Sequence, residues 1–336
     1  MLSIEQDQAS RRLGASEATI LRAQEALNQL SIDTFQQQIF QNLLENSLIA
    51  RISAADEGFM PVALPLYLSD AEVGAIRRAE TLSAALLLLE AGIYALDHLM
   101  DNELCGPLAS LPKAAVMTAA TCFLSYIPHR IIAELDCDIV LRERLAASLY
   151  EGLAQIGHGQ LLDVSFTVDK MPSPQLVERC VIGKTGARRG LYARMAAQLA
   201  GQSVEATEAY AAFGNSLGVA RQLNSDIEDI FAAESSRDVE SGACTLPFAF
   251  YFADVDPSEA EQMIKFIGGA RYDPAALSVV RSRLRDSGAL RKTLVRKEAF
   301  CARALQYLRA ASKDGQTNEL LANAVSQISW RQYASR

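Results

Sequence analysis

The sequence predicts an all-α fold, and three observations support this. Apolar residues recur at three-to-four spacing along most of the chain, which is the period of an amphipathic helix. No segment shows the sustained period-two alternation of a half-buried strand. Half of the 336 residues are apolar and only 21% are charged, so a large core can be buried. We therefore expect one bundle of about 10–13 helices.

The expected helices follow one another without a long linker. Ser16, Ser203 and Asp256 are suitable residues for helix starts. Proline and glycine interrupt the periodicity at positions 61, 65, 106–107, 172, 174, 201, 242 and 247. The predicted helices are 16–31, 34–52, 79–101, 112–133, 139–164, 174–200, 204–231, 257–268, 276–287, 291–312 and 317–333. We expect one domain over residues 16–336, preceded by a loose polar segment at 1–15.

Composition excludes several classes of protein. With 32 basic and 40 acidic residues, the formal charge of −8 argues against a nucleic-acid partner. The six cysteines show no C-x-x-C spacing and no secretory start precedes them, which favours a reducing cytoplasm. The apolar run 82–96 is broken by Glu90 and is too short to span a bilayer. We expect a soluble cytoplasmic protein without stable membrane insertion.

The first candidate site lies at the end of the apolar helix 79–101. Asp97 and Asp101 are four residues apart, so both carboxylates share one helix face. The negative end of the helix dipole disfavours them there, and a cation would offset this. Taken alone, such a pair is more typical of a solvated helix end.

A second acidic group strengthens the case for a metal. Asp226 and Asp229 are three residues apart on one face of a helix, and Asp163 is a further candidate acid. Oxygen ligands suit Mg²⁺, which takes its other ligands from water and substrate phosphates. Two acidic pairs above an apolar shaft indicate a site for an allylic diphosphate, whose leaving group the metal neutralises.

Five motifs occur in the order known from one family. They are DHLMD at 97–101, GQLLD at 159–163, GKTG at 183–186, GVARQLNSDIED at 218–229 and DVESGACTLP at 238–247. The chain resembles the trans-isoprenyl diphosphate synthases, within the class I terpenoid synthase superfamily, over about residues 57–247. The resemblance implies a helical bundle around a deep central cavity, three Mg²⁺ ions at the two Asp motifs, a prenyl diphosphate substrate and a homodimer.

The resemblance also assigns roles to individual side chains. It implies that Asp97, Asp101, Asp226 and Asp229 bind the metal. The residues expected to hold the diphosphate are Lys184, Arg188, Arg221, Gln160 and Gln222, with Arg189 as a further candidate. The residues expected to support these ligands, or to serve as an acid, are Asp163, His98, Thr185 and Ser225.

The sequence departs from the family at the site for isopentenyl diphosphate. His98 and Ser225 each replace an Asp of the two motifs. The family's basic stretch before the first motif is replaced by Glu57, Gly58 and Met60. Its two arginines after that motif are absent from NELCGPLAS at 102–110, and Ala243 replaces its later lysine. A diphosphate cannot lose its hydration without such cations or donors, so we expect chain elongation to be lost.

The resulting hypothesis is a Mg²⁺-dependent class I terpene synthase that ionises a single prenyl diphosphate. One alternative is a prenyltransferase with a peptide or aromatic acceptor. Two others are a chain-elongating synthase and a non-catalytic subunit that partners a true synthase.

The expected substrate length depends on the shaft beneath Asp97. Leu89, Gly92 and Ile93 lie one to two turns before it, and Gly218 and Asn215 are expected on the facing helix. In the family, a bulky aromatic residue at the level of Gly92 closes the shaft at C15. A glycine there predicts an open channel, and this favours a C20 over a C15 substrate.

Overall fold

The computed structural model describes residues 17–53, 59–69, 72–231, 234–311 and 315–329. These residues are almost entirely helical, and within them the only β-type contact is an isolated bridge between Thr167 and Lys170. This confirms the predicted fold class. The expectation of a loose segment at 1–15 lies outside the described residues.

Sixteen α-helices, α1 to α16, are formed by the described chain. A 3₁₀ turn occupies Gly106–Ser110, and a π-helical turn occupies Ile182–Gly186. The helices are 17–30, Thr34–Ser53, Phe59–Leu68, Val73–Met100, Lys113–Leu124, Tyr126–Ala133, Ile139–Ser165, Pro174–Val181, Ala187–Leu199, Val204–Phe231, Arg237–Ser241, Leu246–Asp254, Pro257–Ala270, Pro274–Asp286, Ala289–Ala311 and Gly315–Ser326.

Two compact units make up the chain, and the boundary between them falls within α7, α9 and α10. Unit 1 comprises residues 1–151 and 192–207, and unit 2 comprises 152–191 and 208–336. The prediction of a single domain over 16–336 stays a prediction.

Helix α4 is the central helix of unit 1. It packs against α2, α3, α5 and α6, and its residues from Leu82 to Ile93 are all buried. The helix is long and apolar enough to span a membrane, but 78% of its apolar window is buried inside the protein. This burial is typical of the core helix of a soluble protein.

Prolines explain two differences from the predicted helices. The predicted helix 112–133 ends at Leu124 and restarts at Tyr126, because Pro128 has no N–H to donate to the Leu124 carbonyl. Pro128 is instead placed in the first turn of α6, where no intrahelical donor is needed. Conversely, α3 contains Pro65, which we expected to interrupt a helix; packing against α4 outweighs the lost hydrogen bond.

Unit 2 has its own apolar core. Its centre is a cluster that includes Ile230, Val239, Phe248 and Met263, all fully buried. The predicted start of α13 is confirmed, because the Asp256 carboxylate accepts the backbone N–H groups of the first turn at 2.8 and 3.0 Å.

Candidate functional site

Two glycines allow α7 to cross the π-helical turn at close range. A Cβ on Gly159 would lie 2.3 Å from the backbone nitrogen of Lys184, so only glycine fits there. A Cβ on Gly183 would lie 3.3 Å from the Gly159 Cα. The crossing brings Lys184 beside Asp163, which is one turn further along α7. Turns of π-helix occur frequently at functional sites.

Lys184 and Asp163 form an ion pair within unit 2. The distance from Lys184 Nζ to Asp163 Oδ2 is 2.7 Å, and both side chains are partly exposed. The buried thiol of Cys180 lies 3.8 Å from the other carboxylate oxygen. Burial and the nearby Asp163 carboxylate raise the pKa of Cys180 to about 12. This cysteine is therefore a neutral thiol at physiological pH.

A hydrogen-bond chain joins the GKTG motif to the second Asp motif. The Thr185 hydroxyl donates to Gln222 Oε1 at 3.0 Å. Gln222 Nε2 in turn donates to Asp226 Oδ1 at 2.8 Å. Because the amide accepts at one end and donates at the other, the chain holds the Gln222 side chain in one orientation.

Asp226 is a buried carboxylate with an unusual proton affinity. Only 5% of the residue is exposed. The net pKa of Asp226 is raised to about 7, with burial as the largest cause; the Asp163 and Asp229 carboxylates act in the same direction, while the hydrogen bond from Gln222 and the charge of Lys184 oppose it. A carboxylate in this environment is stabilised in its charged form by a bound cation.

The contacts of Asp229 differ from those of Asp226. Its Oδ2 accepts the Ser236 hydroxyl at 2.6 Å and the backbone N–H of Asp238 at 3.0 Å. Its Oδ1 accepts the backbone N–H of Arg237 at 3.3 Å. Ser225, which replaces an Asp of this motif, is exposed.

The first Asp motif forms the last turn of α4 in unit 1. Asp97 is half-buried and Asp101 is exposed. The Asp101 N–H donates to the Asp97 carbonyl at 3.0 Å, which confirms that they are one helical turn apart. The His98 ring lies against the Tyr94 ring with centroids 4.0 Å apart, and its Nδ1 lies 3.2 Å from the Glu103 carbonyl oxygen.

Lys113 is a cation that the sequence analysis missed. It follows the non-basic stretch 102–110, yet its Nζ donates to Asn102 Oδ1 at 2.5 Å. One ammonium therefore lies next to the residue after Asp101. The turn between α4 and α5 creates this contact, and nothing in the spacing of the sequence indicates it.

The sequence profile of the polyprenyl synthetase family matches residues 112–282, which is half of the chain. The chain belongs to the polyprenyl synthetase family. This confirms the predicted resemblance and the prediction of an isoprenoid diphosphate enzyme. No relative was found among curated proteins.

Solved structures of similar fold agree with the family. A geranylgeranyl pyrophosphate synthetase from Pyrococcus horikoshii has a TM-score of 0.80 at 16% identity, covering 96% of this chain and 98% of that one. A decaprenyl diphosphate synthase from Rhodobacter capsulatus has a TM-score of 0.75 at 15% identity, covering 97% of both chains. A geranylgeranyl pyrophosphate synthase from Corynebacterium glutamicum, complexed with isoprenyl diphosphate and magnesium, has a TM-score of 0.77 at 17% identity, covering 94% and 98%.

The family's metal can be compared with the carboxylates of this chain. No group of three or more His, Cys, Asp or Glu side chains among the described residues is arranged to hold a metal ion. The pair Asp97 and Asp101 and the buried Asp226 still fit Mg²⁺, which needs only one or two carboxylates besides water and phosphate. Asp229 is less suited, because its two oxygens already accept three hydrogen bonds.

The predicted open channel at Gly92 is wrong. A Cβ there would lie 2.6 Å from the Phe123 Cβ and 3.2 Å from the Ala120 carbonyl oxygen, so Gly92 faces α5 at close range. Its neighbours Leu89 and Ile93 are buried. The prediction of a C20 rather than a C15 substrate depended on this channel and is no longer supported.

Gly218 also lies in a packed contact rather than beside open space. A Cβ on Gly218 would lie 2.8 Å from both Arg189 Cγ and the Thr185 carbonyl oxygen. Arg189 itself is buried. The other predicted diphosphate ligands, Gln160, Arg188 and Arg221, are half-buried in unit 2.

Asn215 does line a cavity, of about 470 Å³, within unit 2. Most of the lining is apolar, and Gln155, His158 and Arg179 contribute polar groups. The full lining is Ala154, Gln155, His158, Leu162, Arg179, Ile182, Gly183, Ala187 and Asn215.

Glu90 has a buried partner that could not be assigned from the sequence. The Tyr192 hydroxyl donates to the Glu90 carboxylate, and both residues are fully buried in unit 1. Glu90 was the single charge in an apolar run, which signals a need for a partner but does not identify one.

The predicted isopentenyl site includes three residues before the first Asp motif. Glu57, Gly58 and the side chain of Met60 lie outside the described residues. Ala243, which replaces the family's later lysine, is half-buried in unit 2.

Proposed function

We propose that this protein is a class I terpene synthase that ionises one prenyl diphosphate and does not add isopentenyl diphosphate. The family membership supports the isoprenoid diphosphate chemistry. The loss of elongation is supported by a contrast between two parts of the chain.

One set of diphosphate-binding groups is retained and another is depleted. In unit 2, Lys184 is held by its ion pair with Asp163, and Gln222 is oriented by its own hydrogen bonds. After the first Asp motif, the stretch 102–110 carries no basic residue, and the first cation beyond it is Lys113, whose ammonium donates to Asn102. An ammonium cannot make the two parallel hydrogen bonds that a guanidinium makes with a phosphate. Lys113 would therefore bind a second diphosphate less tightly than an arginine would.

Mg²⁺, when bound, neutralises the charge that develops on the leaving diphosphate. In unit 1 the candidate ligands for Mg²⁺ are Asp97 and Asp101, and in unit 2 the candidate ligand is Asp226. Lys184 and Gln222 would orient the diphosphate oxygens through hydrogen bonds. An apolar pocket would exclude water from the prenyl chain, so that the carbocation is not quenched before it rearranges.

The test is incubation with C10, C15, C20 and C25 prenyl diphosphates and Mg²⁺, with and without isopentenyl diphosphate. We expect pyrophosphate and a hydrocarbon or alcohol from at least one substrate without isopentenyl diphosphate, and no longer prenyl diphosphate when it is added. A lengthened prenyl diphosphate would instead show an ordinary elongating synthase. Absence of pyrophosphate from every substrate would show a non-catalytic subunit. The Asp97→Ala variant controls for background hydrolysis.

A second candidate function is prenyl transfer to a non-isoprenoid acceptor. The observation that favours it is the cavity of unit 2, where Asn215, His158 and Arg179 place polar groups around an apolar lining. Peptide and aromatic acceptors present this mixture of surfaces. Adding a Trp-containing peptide or an aromatic acid to the same assay, and searching for a prenylated adduct, distinguishes transfer from cyclisation.

A further inference from the structure

Asp229 is in an environment unlike that of the other motif carboxylates. Both of its oxygens accept hydrogen bonds from the segment that follows α10, through the Ser236 hydroxyl and the backbone N–H groups of Arg237 and Asp238. We propose that Asp229 is the anchor of segment 236–245 and that it is not a metal ligand in this chain.

The hydrogen bonds to Asp229 compete directly with metal binding. An ionised carboxylate makes charge-assisted hydrogen bonds, which are about twice as strong as neutral ones. Mg²⁺ requires a ligand oxygen at about 2.0–2.1 Å in near-octahedral geometry. To reach Oδ2, the ion would have to displace the Ser236 hydroxyl at 2.6 Å and the Asp238 N–H at 3.0 Å. The Arg237 guanidinium adds a positive charge 3.8 Å from Oδ1.

Ser236 is the other half of the anchor. It is fully buried, and its hydroxyl donates to Asp229 while accepting the N–H of Val239 at 3.2 Å. Val239 is buried in the same apolar cluster as Ile230 and Ile267. Apolar burial therefore holds the short helix α11 in place, and the Asp229–Ser236 pair sets the path of the chain around it.

The anchored segment leads back to the Lys184 site. Cys244 follows α11, and its thiol lies close enough to Asp163 for that carboxylate to raise its pKa. Burial is the larger cause, and together they raise the pKa of Cys244 to about 11. Asp163 is the ion-pair partner of Lys184. Cys244 is therefore a reporter of the position of the anchored segment.

The reactivity of Cys244 tests the anchor. Asp229→Asn and Ser236→Ala each remove part of it, and Ser241→Ala is a matched control, because that hydroxyl reaches only the Asp238 carbonyl, at 3.4 Å. Maleimide labelling at Cys244 is quantified by peptide mass spectrometry, with the exposed Cys105 as reference.

We expect Cys244 to label about fivefold faster in both anchor variants and unchanged in the control, since losing a hydrogen bond to a charged group makes local opening easier. The double variant should label little faster than the faster single variant, because both changes weaken the hydrogen bond that Ser236 and Asp229 share.

Binding of Mn²⁺ alone, followed by the electron paramagnetic resonance signal of the free ion, separates the anchor from a metal ligand. We expect Asp229→Asn to keep its Mn²⁺ affinity within about twofold of the parent protein, whereas Asp226→Asn weakens it at least tenfold. Loss of Mn²⁺ binding in Asp229→Asn would overturn the proposal, and so would unchanged Cys244 labelling in the anchor variants. If Asp229→Asn does not fold, Cys244 labelling of Ser236→Ala still tests the anchor, and unchanged labelling would overturn it.

The outcome is independent of the proposed function. If neither Asp97→Ala nor Asp226→Asn weakens Mn²⁺ binding, the metal assignment of the proposed function fails. The labelling of Cys244 still decides whether Asp229 is an anchor.

Discussion

The buried carboxylate of Asp226 should make the metal-free protein less stable as the pH rises. Its pKa in the folded chain is about 7, against a usual value of 3.8. Because the folded state binds this proton more tightly than the unfolded state, the contribution to stability is fully present below pH 3.8. It is lost as the pH rises through about 7.

The magnitude follows from the two pKa values. A difference of about three pH units at about 1.4 kcal/mol each gives a total of about 4 kcal/mol. About half of this, roughly 2 kcal/mol, should be lost between pH 5.5 and pH 8. Asp226→Asn should abolish that part of the pH dependence, since Asn keeps an oxygen for the hydrogen bond from Gln222 but does not ionise.

The assay is urea unfolding in EDTA at half-unit steps from pH 5.5 to pH 8, followed by circular dichroism. The free energy of unfolding of the parent protein should fall relative to that of Asp226→Asn across this range. Glu261→Gln is the matched control, because Glu261 is an exposed carboxylate paired only with the exposed Lys265 in an i,i+4 salt bridge. Parallel curves for the parent and Asp226→Asn would refute the reasoning. Added Mg²⁺ should reduce the loss at pH 8 in the parent, since it stabilises the ionised form.

Three further predictions concern unit 1. Gly92→Ala should lower the free energy of unfolding by about 1–3 kcal/mol in urea titrations, because its Cβ would overlap Phe123; an unchanged midpoint would contradict the close packing. Tyr192→Phe should lower the free energy of unfolding by about 1–3 kcal/mol in the same assay, since it removes a hydrogen-bond donor from the buried Glu90. The decrease should be much smaller when the same change is made in the Glu90→Gln variant. Asp97→Ala should abolish release of pyrophosphate while the far-ultraviolet circular dichroism stays unchanged, and full activity would remove Asp97 from the site.

Local features of the fold could be predicted from the sequence. Helical periodicity depends on residues three and four apart, so it identified the buried helix α4 and the one-turn spacing of Asp97 and Asp101. The role of Asp256 as a capping residue could equally be predicted, because a cap involves only the next three residues. The order of the five motifs was sufficient to identify the family.

The tertiary structure decided what each side chain faces. Gly92 was expected to open a channel, but the approach of α5 fills that space with Phe123. Asp226 and Asp229 look equivalent in the sequence, three residues apart on one helix. One is buried beside Gln222, whereas the other accepts hydrogen bonds from Ser236 and its neighbours.

The physical reason is that helix-forming tendency is a property of neighbouring residues, whereas the environment of a helix face depends on chain segments remote in sequence. Lys113 reaches Asn102, and Tyr192 reaches Glu90, across separations of 11 and 102 residues. No local pattern encodes such pairings, because they form only when whole helices pack against one another. The sequence by itself determined most of the helices, the motifs and the family, and tertiary packing decided the environment of each motif carboxylate.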